Sequence, residues 1–332
     1  YATVDVSGAR RKINMSLLKN TDTQVGDWVL IHVGFAMNKI SPEQAKEQLR
    51  LLEMLGESAE ALEEVKGYQF GEELVNKTVE EIRRWVEPHR RYRIMEVCGG
   101  HTYSIYRFGL QDLLPENIEL IHGPGCPVCV LPMGRMDDGL ALAKGDGIIF
   151  TAFGDVMRVP GTQETPLSLR SKGKDVRMVY SPLDALELAL KNPDKEVVLF
   201  AIGFETTAPS TALTVLEARE KKVDNFSVFS NHVLIMPAIR AILDAPDIEI
   251  DGFIGPGHLS TVIGVKPYRW ISEEYKKPVV IAGFEPLDLL QAILMLIKQF
   301  RQGRHEVENQ YTRAVTWEGN EAALQAMDQV FE

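Results

Sequence analysis

At 332 residues, with 45% hydrophobic and 25% charged residues, the chain is globular material long enough for two or three domains with real cores. A net charge of −11 with no basic block argues against nucleic-acid binding, and no apolar run approaches the length of a membrane span. Three cysteines, two of them in a C-x-x-C, suit a reducing cytoplasm better than a disulfide scaffold, and no signal peptide is expected.

In chain order, Tyr1 has no methionine before it and a strand is already under way, so the first element is expected to be a fragment. Segments 2–6, 11–15 and 27–35 are short β-like runs, a density that predicts a small β-barrel. The stretch 40–55 predicts a helix, with Ser41 as N-cap, Pro42 in the first turn, and Ala45, Leu49, Leu52 and Leu55 on one face. Residues 57–71 are charged and unpatterned and read as a linker. A second amphipathic helix is expected over 72–86.

Beyond Arg91 strands and helices alternate, the sign of parallel α/β units. Strands are expected over 93–97, 118–122, 147–153, 175–180, 197–202, 226–233, 252–254 and 279–282. Helices are expected over 102–114, 133–143, 182–190, 211–221, 236–243, 287–300 and 321–331. A loop over 154–173 carries Asp155 and Arg158, either a loop-ordering pair or cleft-lining residues. The expected organisation is a barrel with its helix over 1–56, a linker over 57–71, one α/β domain over 72–173, a second over 174–265, and a return to the first over 266–332.

All three cysteines sit where a short apolar run ends in glycine. The strand over 93–97 runs into Cys98-Gly99-Gly100-His101, and that over 118–122 into Gly123-Pro124-Gly125-Cys126. In an open parallel sheet the carboxyl ends of strands line the ligand crevice, so Cys98 and the Cys126/Cys129 pair are expected to face one pocket. Gly99 and Gly100 let the backbone approach a ligand closely. With a helix starting just beyond it, Cys98 lies where a thiolate is favoured, although a lone cysteine is as often a small buried hydrophobe. CPVC fits a redox disulfide or half of a metal site. A closed zinc site needs two more ligands, and only His101 and His122 are near, so a dithiol cycling with a disulfide is favoured.

Other strand ends repeat the pattern. GPGC at 123–126 is echoed by GPGH at 255–258, and GFET at 203–206 by GFEP at 283–286. Two similar halves facing each other would place both sets, with Glu205, Thr206, Thr207, His232 and His258, on a central cleft. Each has a plainer reading: Glu205 to Thr207 as a helix cap, His232 and His258 as loop hydrogen-bonders, and His32 as an ordinary strand residue.

From about Phe70 onward, CGGHTYSIYRFGLQDLLPENIELIHGPGCPVCVLPMGRMDD, with FGDVMRVPG, GFETTAP, SNH and GPGHLSTVIG, closely resembles HypD, a family of nickel-iron hydrogenase maturation factors. Residues 1 to about 56, with GDWVLIHVGFAMNKIS, resemble HypC, a small OB-like barrel with a C-terminal helix. The chain therefore resembles a HypC–HypD fusion. The resemblance implies an assembly scaffold rather than a conventional turnover enzyme. Such a scaffold holds one iron while two cyanides and one carbon monoxide are attached, then passes the Fe(CN)2CO unit to the hydrogenase large subunit. Cyanide comes from HypE, made competent by HypF.

By motif, the resemblance makes Cys98 the iron ligand with His101 beside it, Cys126 and Cys129 the redox pair, and His32 a barrel residue near the iron. A soft thiolate suits low-spin iron, and a dithiol can supply electrons. Two departures stand out. HypC proteins begin with Met-Cys, absent ahead of Tyr1 here, and HypD proteins carry a C-terminal four-cysteine [4Fe-4S] site, whereas nothing after Cys129 is cysteine. The rival readings are a free-standing thiol oxidoreductase, disfavoured because CPVC opens no clear helix, and a nucleotide-binding enzyme, for which no glycine-rich phosphate motif is present.

Overall fold

The computed structural model describes residues 2–6, 9–13, 15–18, 21–32, 35–42 and 69–331. The first strands, β1 (Ala2–Val6) and β2 (Ala9–Ile13), pair antiparallel, as do β3 (Trp28–His32) and β4 (Phe35–Ile40). The run over 27–35 is thus not one strand, because Phe35 already pairs back on His32. Among the described residues the four strands form two ribbons rather than one closed barrel, sharing a small core of Ile13 and Leu18 with Val4, Met15 and Val29. Ile40 ends a strand, and the helix expected over 40–55 otherwise lies outside the described residues beyond Pro42.

The rest is two parallel sheets. The strands in chain order are β5 (Tyr92–Glu96), β6 (Ile118–His122), β7 (Ile148–Phe153), β8 (Val176–Val179), β9 (Glu196–Gly203), β10 (Phe226–His232), β11 (Gly252–Pro256), β12 (Val279–Ala282) and β13 (Val307–Asn309). One sheet has the order β13-β12-β11-β5-β6 and the other β10-β9-β7-β8. Helices cover their faces: α1 (Gln69–Trp85), α2 (Gly99–Arg107), α3 (Leu110–Leu113), α4 (Pro127–Val130), α5 (Met133–Ala143), α6 (Pro166–Ser171) and α7 (Pro182–Lys191). They continue with α8 (Ala208–Glu220), α9 (Ile235–Leu243), α10 (Gly257–Ile263), α11 (Arg269–Tyr275), α12 (Pro286–Gln302) and α13 (Glu321–Asp328). Strands covered on both faces read as continuous apolar runs, and β9 is buried at every position after Glu196.

The chain changes sheets between His122 and Ile148 and again between His232 and Gly252, not at the expected 173/174 and 265/266. Strand β7 pairs with β8 and β9, while β11 inserts between β5 and β12, and backbone pairing rather than sequence echo decides membership. GPGC and GPGH consequently close two strands of the same five-stranded sheet, whereas GFET and GFEP fall one in each.

Two further expectations change locally. The helix expected over 102–114 begins three residues early and breaks at Gly109, whose φ of 59° is left-handed, so α2 and α3 are separate. The loop over 154–173 contains a 3-10 turn at Val156–Arg158 and α6, started by a Thr165/Ser168 capping box.

Helix α12 shows why the frame holds. Leu289, Leu290, Ile293, Leu296, Ile297 and Phe300 recur at helical spacing and are buried, each adding about 1.5–3 kcal/mol. Pro286 opens the helix and left-handed Gly303 closes it. At the carboxyl ends of the strands the two sheets share one core, in which Phe204, Ile235 and Ile239 pack with Met95, Val97 and Tyr268. No helix among the described residues is long and apolar enough to cross a membrane.

Candidate functional site

Strand β5 delivers Cys98 in extended backbone, φ −152°, as the N-cap of α2. Its carbonyl accepts the His101 and Thr102 N–H groups at 2.9 and 3.1 Å, which fixes the turn. Although Cys98 is partly exposed, burial pushes its thiol up to about 11; the backbone N–H groups of His101 and Gly100 oppose this, and the Glu96 charge adds to it. The helix N-terminus therefore does not by itself make Cys98 a thiolate, because desolvation outweighs it. A soft metal would reverse this by displacing the proton.

The glycines beside it are filled by protein. A Cβ on Gly100 would meet the Phe284 ring at 2.8 Å, and one on Gly99 the Gly125 carbonyl oxygen at 3.1 Å. Phe284 is an aromatic wall, tilted against His101 at 4.9 Å and His258 at 4.1 Å between ring centres. His101 is fully buried. Its Nε2 faces the Ala282 carbonyl at 3.2 Å and so carries the proton, leaving Nδ1 a buried acceptor without a partner. Burial depresses this imidazole to about 4, so it is neutral near pH 7.

Strand β6 delivers the second thiol site. Cys126 is the N-cap of the one-turn helix α4, and its sulfur accepts the Cys129 N–H at 3.2 Å. CPVC thus does open a helical turn, contrary to the expectation that set the oxidoreductase aside. The Cys129 thiol is raised by its hydrogen bond with Cys126, then by burial and by the neighbouring charge. Val128 and Leu131 pack against the core that contains Met136 of α5 and Phe200 and Ile202 of the other sheet, so the pair sits where the chain crosses between sheets.

From that other sheet, β9 delivers Glu205. It is buried, Oε1 accepts the Ile235 N–H at 3.0 Å, Oε2 has no partner, and burial raises the carboxyl to about 7. Tyr268, fully buried, has its hydroxyl pushed up by burial, with the charges of both Glu205 and Cys98 adding. Tyr268 packs in the core that Phe204 and Ile235 share with Met95 and Val97, where strand-end residues of both sheets meet. Thr207 is the N-cap of α8, but its hydroxyl bonds the Phe204 carbonyl at 3.1 Å rather than capping the helix, and Thr206 precedes it half-buried. His232 lies 3.0 Å from the Ser230 hydroxyl and 3.5 Å from that of Thr211, with burial depressing it to about 4.

The remaining expected residues are exposed or have side chains outside the described residues. His258 is exposed on its stack with Phe284. Asp155 accepts the N–H of Val156 at 2.9 Å and so orders its own turn. His32 ends β3, with its side chain outside the described residues. Among the described residues, no group of three or more His, Cys, Asp or Glu converges as a metal site. An open depression of about 440 Å³ lined by Arg91, Arg93, Glu249, Asp251 and Lys277 lies at the opposite ends of the strands and holds none of this chemistry.

Sequence reasoning missed Glu96, Phe284 and Tyr268. A carboxylate at the end of a buried apolar strand, two residues before a cysteine, was the available signal for Glu96.

Residues 73–332 match the HypD family model, described as the hydrogenase formation hypA family, and residues 1–52 match that of the HupF/HypC family. The chain is 55% identical over 258 residues to hydrogenase maturation factor HypD2 of Bradyrhizobium diazoefficiens, covering 76% of this chain and 68% of the relative. It is 55% identical over 266 residues to hydrogenase maturation factor HypD of Rhizobium leguminosarum bv. viciae, covering 78% and 69%. With hydrogenase maturation factor HypD of Escherichia coli it shares 53% over 242 residues, covering 73% and 65%.

Proposed function

The chain belongs to the HypD family of hydrogenase maturation factors and carries a HupF/HypC-family segment ahead of it, and on that footing we propose that it is the scaffold on which the Fe(CN)2CO unit is assembled. Cys98 holds the iron, which is cargo, while cyanide and carbon monoxide are attached. The finished unit leaves for the hydrogenase large subunit. HypE, charged through HypF, is the cyanide donor, and the HypC-type segment, read as a small OB-like barrel bearing His32, helps to carry the unit. The setting is the cytoplasm.

The setting of Cys98 carries this reading. It is a lone soft donor at a strand end, with the first backbone N–H groups of α2 turned onto its carbonyl, the unpartnered Nδ1 of His101 close in sequence, and a dithiol loop seated against its backbone. Thiolate donation suits low-spin iron, whose remaining positions are filled by its own strong-field ligands and by a donor from the HypC-type segment. Cys126 and Cys129 form a dithiol that can close to a disulfide when an external acceptor takes the two electrons and two protons. Gly99 and Gly100 shape the loop, and Glu205, Thr206, Thr207, His232 and His258 line the region between the sheets. The [4Fe-4S] cluster expected from the family has no cysteines in this chain.

The N-cap geometry of Cys126 favours one second reading, a thiol-disulfide oxidoreductase using CPVC alone. Iron content separates the two. The whole protein, purified anaerobically after co-expression with HypE and HypF, is expected to hold iron that Cys98→Ala loses and Cys129→Ala keeps. Unchanged iron in Cys98→Ala, with full thiol-disulfide exchange activity, would support the oxidoreductase instead.

A further inference from the structure

Glu96 is fully buried at the last position of β5. Its Oε2 accepts the Cys98 N–H at 2.8 Å, and its Oε1 accepts the Thr102 hydroxyl and lies 2.8 Å from His122 Nδ1. Its main-chain oxygen accepts the Gly123 N–H, also at 2.8 Å. One residue is thus tied to the Cys98 turn, to the first turn of α2, and to the end of β6 where the GPGC loop departs. His122 stacks on the exposed Tyr106 of α2 at 5.0 Å, and the Gly99 N–H closes the same gap on the Gly125 carbonyl at 3.2 Å.

A carboxylate in this position needs a reason. Burying one costs several kcal/mol before its partners compensate, and an apolar residue, like Ile94 two positions earlier, would fill the strand without that cost. It does not activate the thiol either, because a negative charge beside a sulfur opposes thiolate formation. What it does supply is acceptor capacity: two side-chain oxygens and one carbonyl take four contacts, from the Cys98 turn, the first turn of α2 and the end of β6, beside the Gly99–Gly125 backbone bond that also joins the two loops.

We infer that Glu96 is a positioning residue that locks the Cys98 turn to the root of the Cys126/Cys129 loop through His122, so that both thiol sites keep one geometry and a displacement of either loop reaches the other. This deepens the reading of Cys98 as the working thiol and rests on it. The partner of the Glu96 carboxylate on the dithiol side is the His122 imidazole, and on the iron side the Cys98 amide.

The test is a double-mutant cycle on the metal-free whole chain, read as the rate at which iodoacetamide alkylates Cys98, followed peptide by peptide. With each rate divided by the thiolate fraction from that variant's own pH profile, which removes the direct effect of the Glu96 charge, Glu96→Gln and His122→Ala are each expected to speed Cys98 by about fivefold or more, because either change frees the turn. The double variant should be no faster than the faster single one within about twofold, since both cut the same link. Melting temperatures should stay close to wild type. Rates within about twofold of wild type in both single variants, or effects that multiply in the double variant, overturn the inference. A rise shared equally by all three cysteines together with lost stability also overturns it, because that marks general loosening. Should Glu96→Gln not fold, Thr102→Val keeps the carboxylate and removes one donor; it is expected to speed Cys98, and an unchanged rate counts against the proposal. Failure here leaves Cys98 as the iron ligand untouched, since iron retention in Cys98→Ala tests that separately.

Discussion

Gly125 rests its backbone directly on that of Cys98. Its carbonyl accepts the Gly99 N–H at 3.2 Å, and a Cβ built on it would collide with the Gly99 nitrogen and the Cys98 carbonyl carbon. The two cysteine loops therefore share a face of bare main chain, which a side chain at this position would pry apart. Gly125→Ala is expected to cost about 1–3 kcal/mol by overpacking. Urea unfolding at unchanged slope checks it, and a variant as stable as wild type would contradict the interlock.

The Cys129 thiol is held above its ordinary value first by its hydrogen bond with Cys126. Removing that partner in Cys126→Ala is expected to lower the Cys129 pKa and to make Cys129 alkylate faster near pH 8. Equal rates for Cys129 with and without Cys126 would remove the basis for treating the two thiols as a pair.

Glu205 gives a stability signature with a definite sign. Burial raises its carboxyl from 4.5 to about 7 in the folded state. A carboxyl so raised favours folding while protonated, so its contribution is present below about pH 4.5, falls as pH rises to about 7, and is then level. The whole effect is at most about 3 kcal/mol. Glu205→Gln is expected to gain on wild type across that window in denaturant titrations. A difference that does not vary with pH would contradict the buried, unpartnered carboxyl.

His232 acts in the opposite direction. Its folded pKa is depressed from 6.5 to about 4 by burial, so its contribution is present above about pH 6.5 and is lost as pH falls through about 4. His232→Gln is expected to resist acid better than wild type between those limits. The opposing slopes of Glu205 and His232 partly cancel in the wild type, so each is read best as a difference between variant and wild type.

The legible parts of the fold were those governed by short-range pattern. Short apolar runs gave β6 and β12 to the residue, and the body of α12 was visible in the apolar face over 287–300. Sheet membership was not legible, because GPGC and GPGH look like counterparts while hydrogen bonding places both strands in one sheet. The break at Gly109 was missed because apolar spacing continues through it, although its left-handed backbone ends α2. Within the site, the cysteines and His101 announced themselves by residue type. Glu96 did not, since a carboxylate inside MEVC reads as an outward-facing strand residue until His122 and Thr102 are seen around it. Phe284 was hidden for a different reason: its role depends on Gly100, nearly two hundred positions away, leaving room for its ring.

The most direct test of the scaffold reading is the infrared spectrum of the anaerobically purified protein, co-expressed with HypE and HypF, in the region where metal-bound cyanide and carbon monoxide stretch. Bands for both ligands that vanish in Cys98→Ala are the predicted result. Iron-loaded protein that shows no such bands, or bands that persist unchanged in Cys98→Ala, would contradict it.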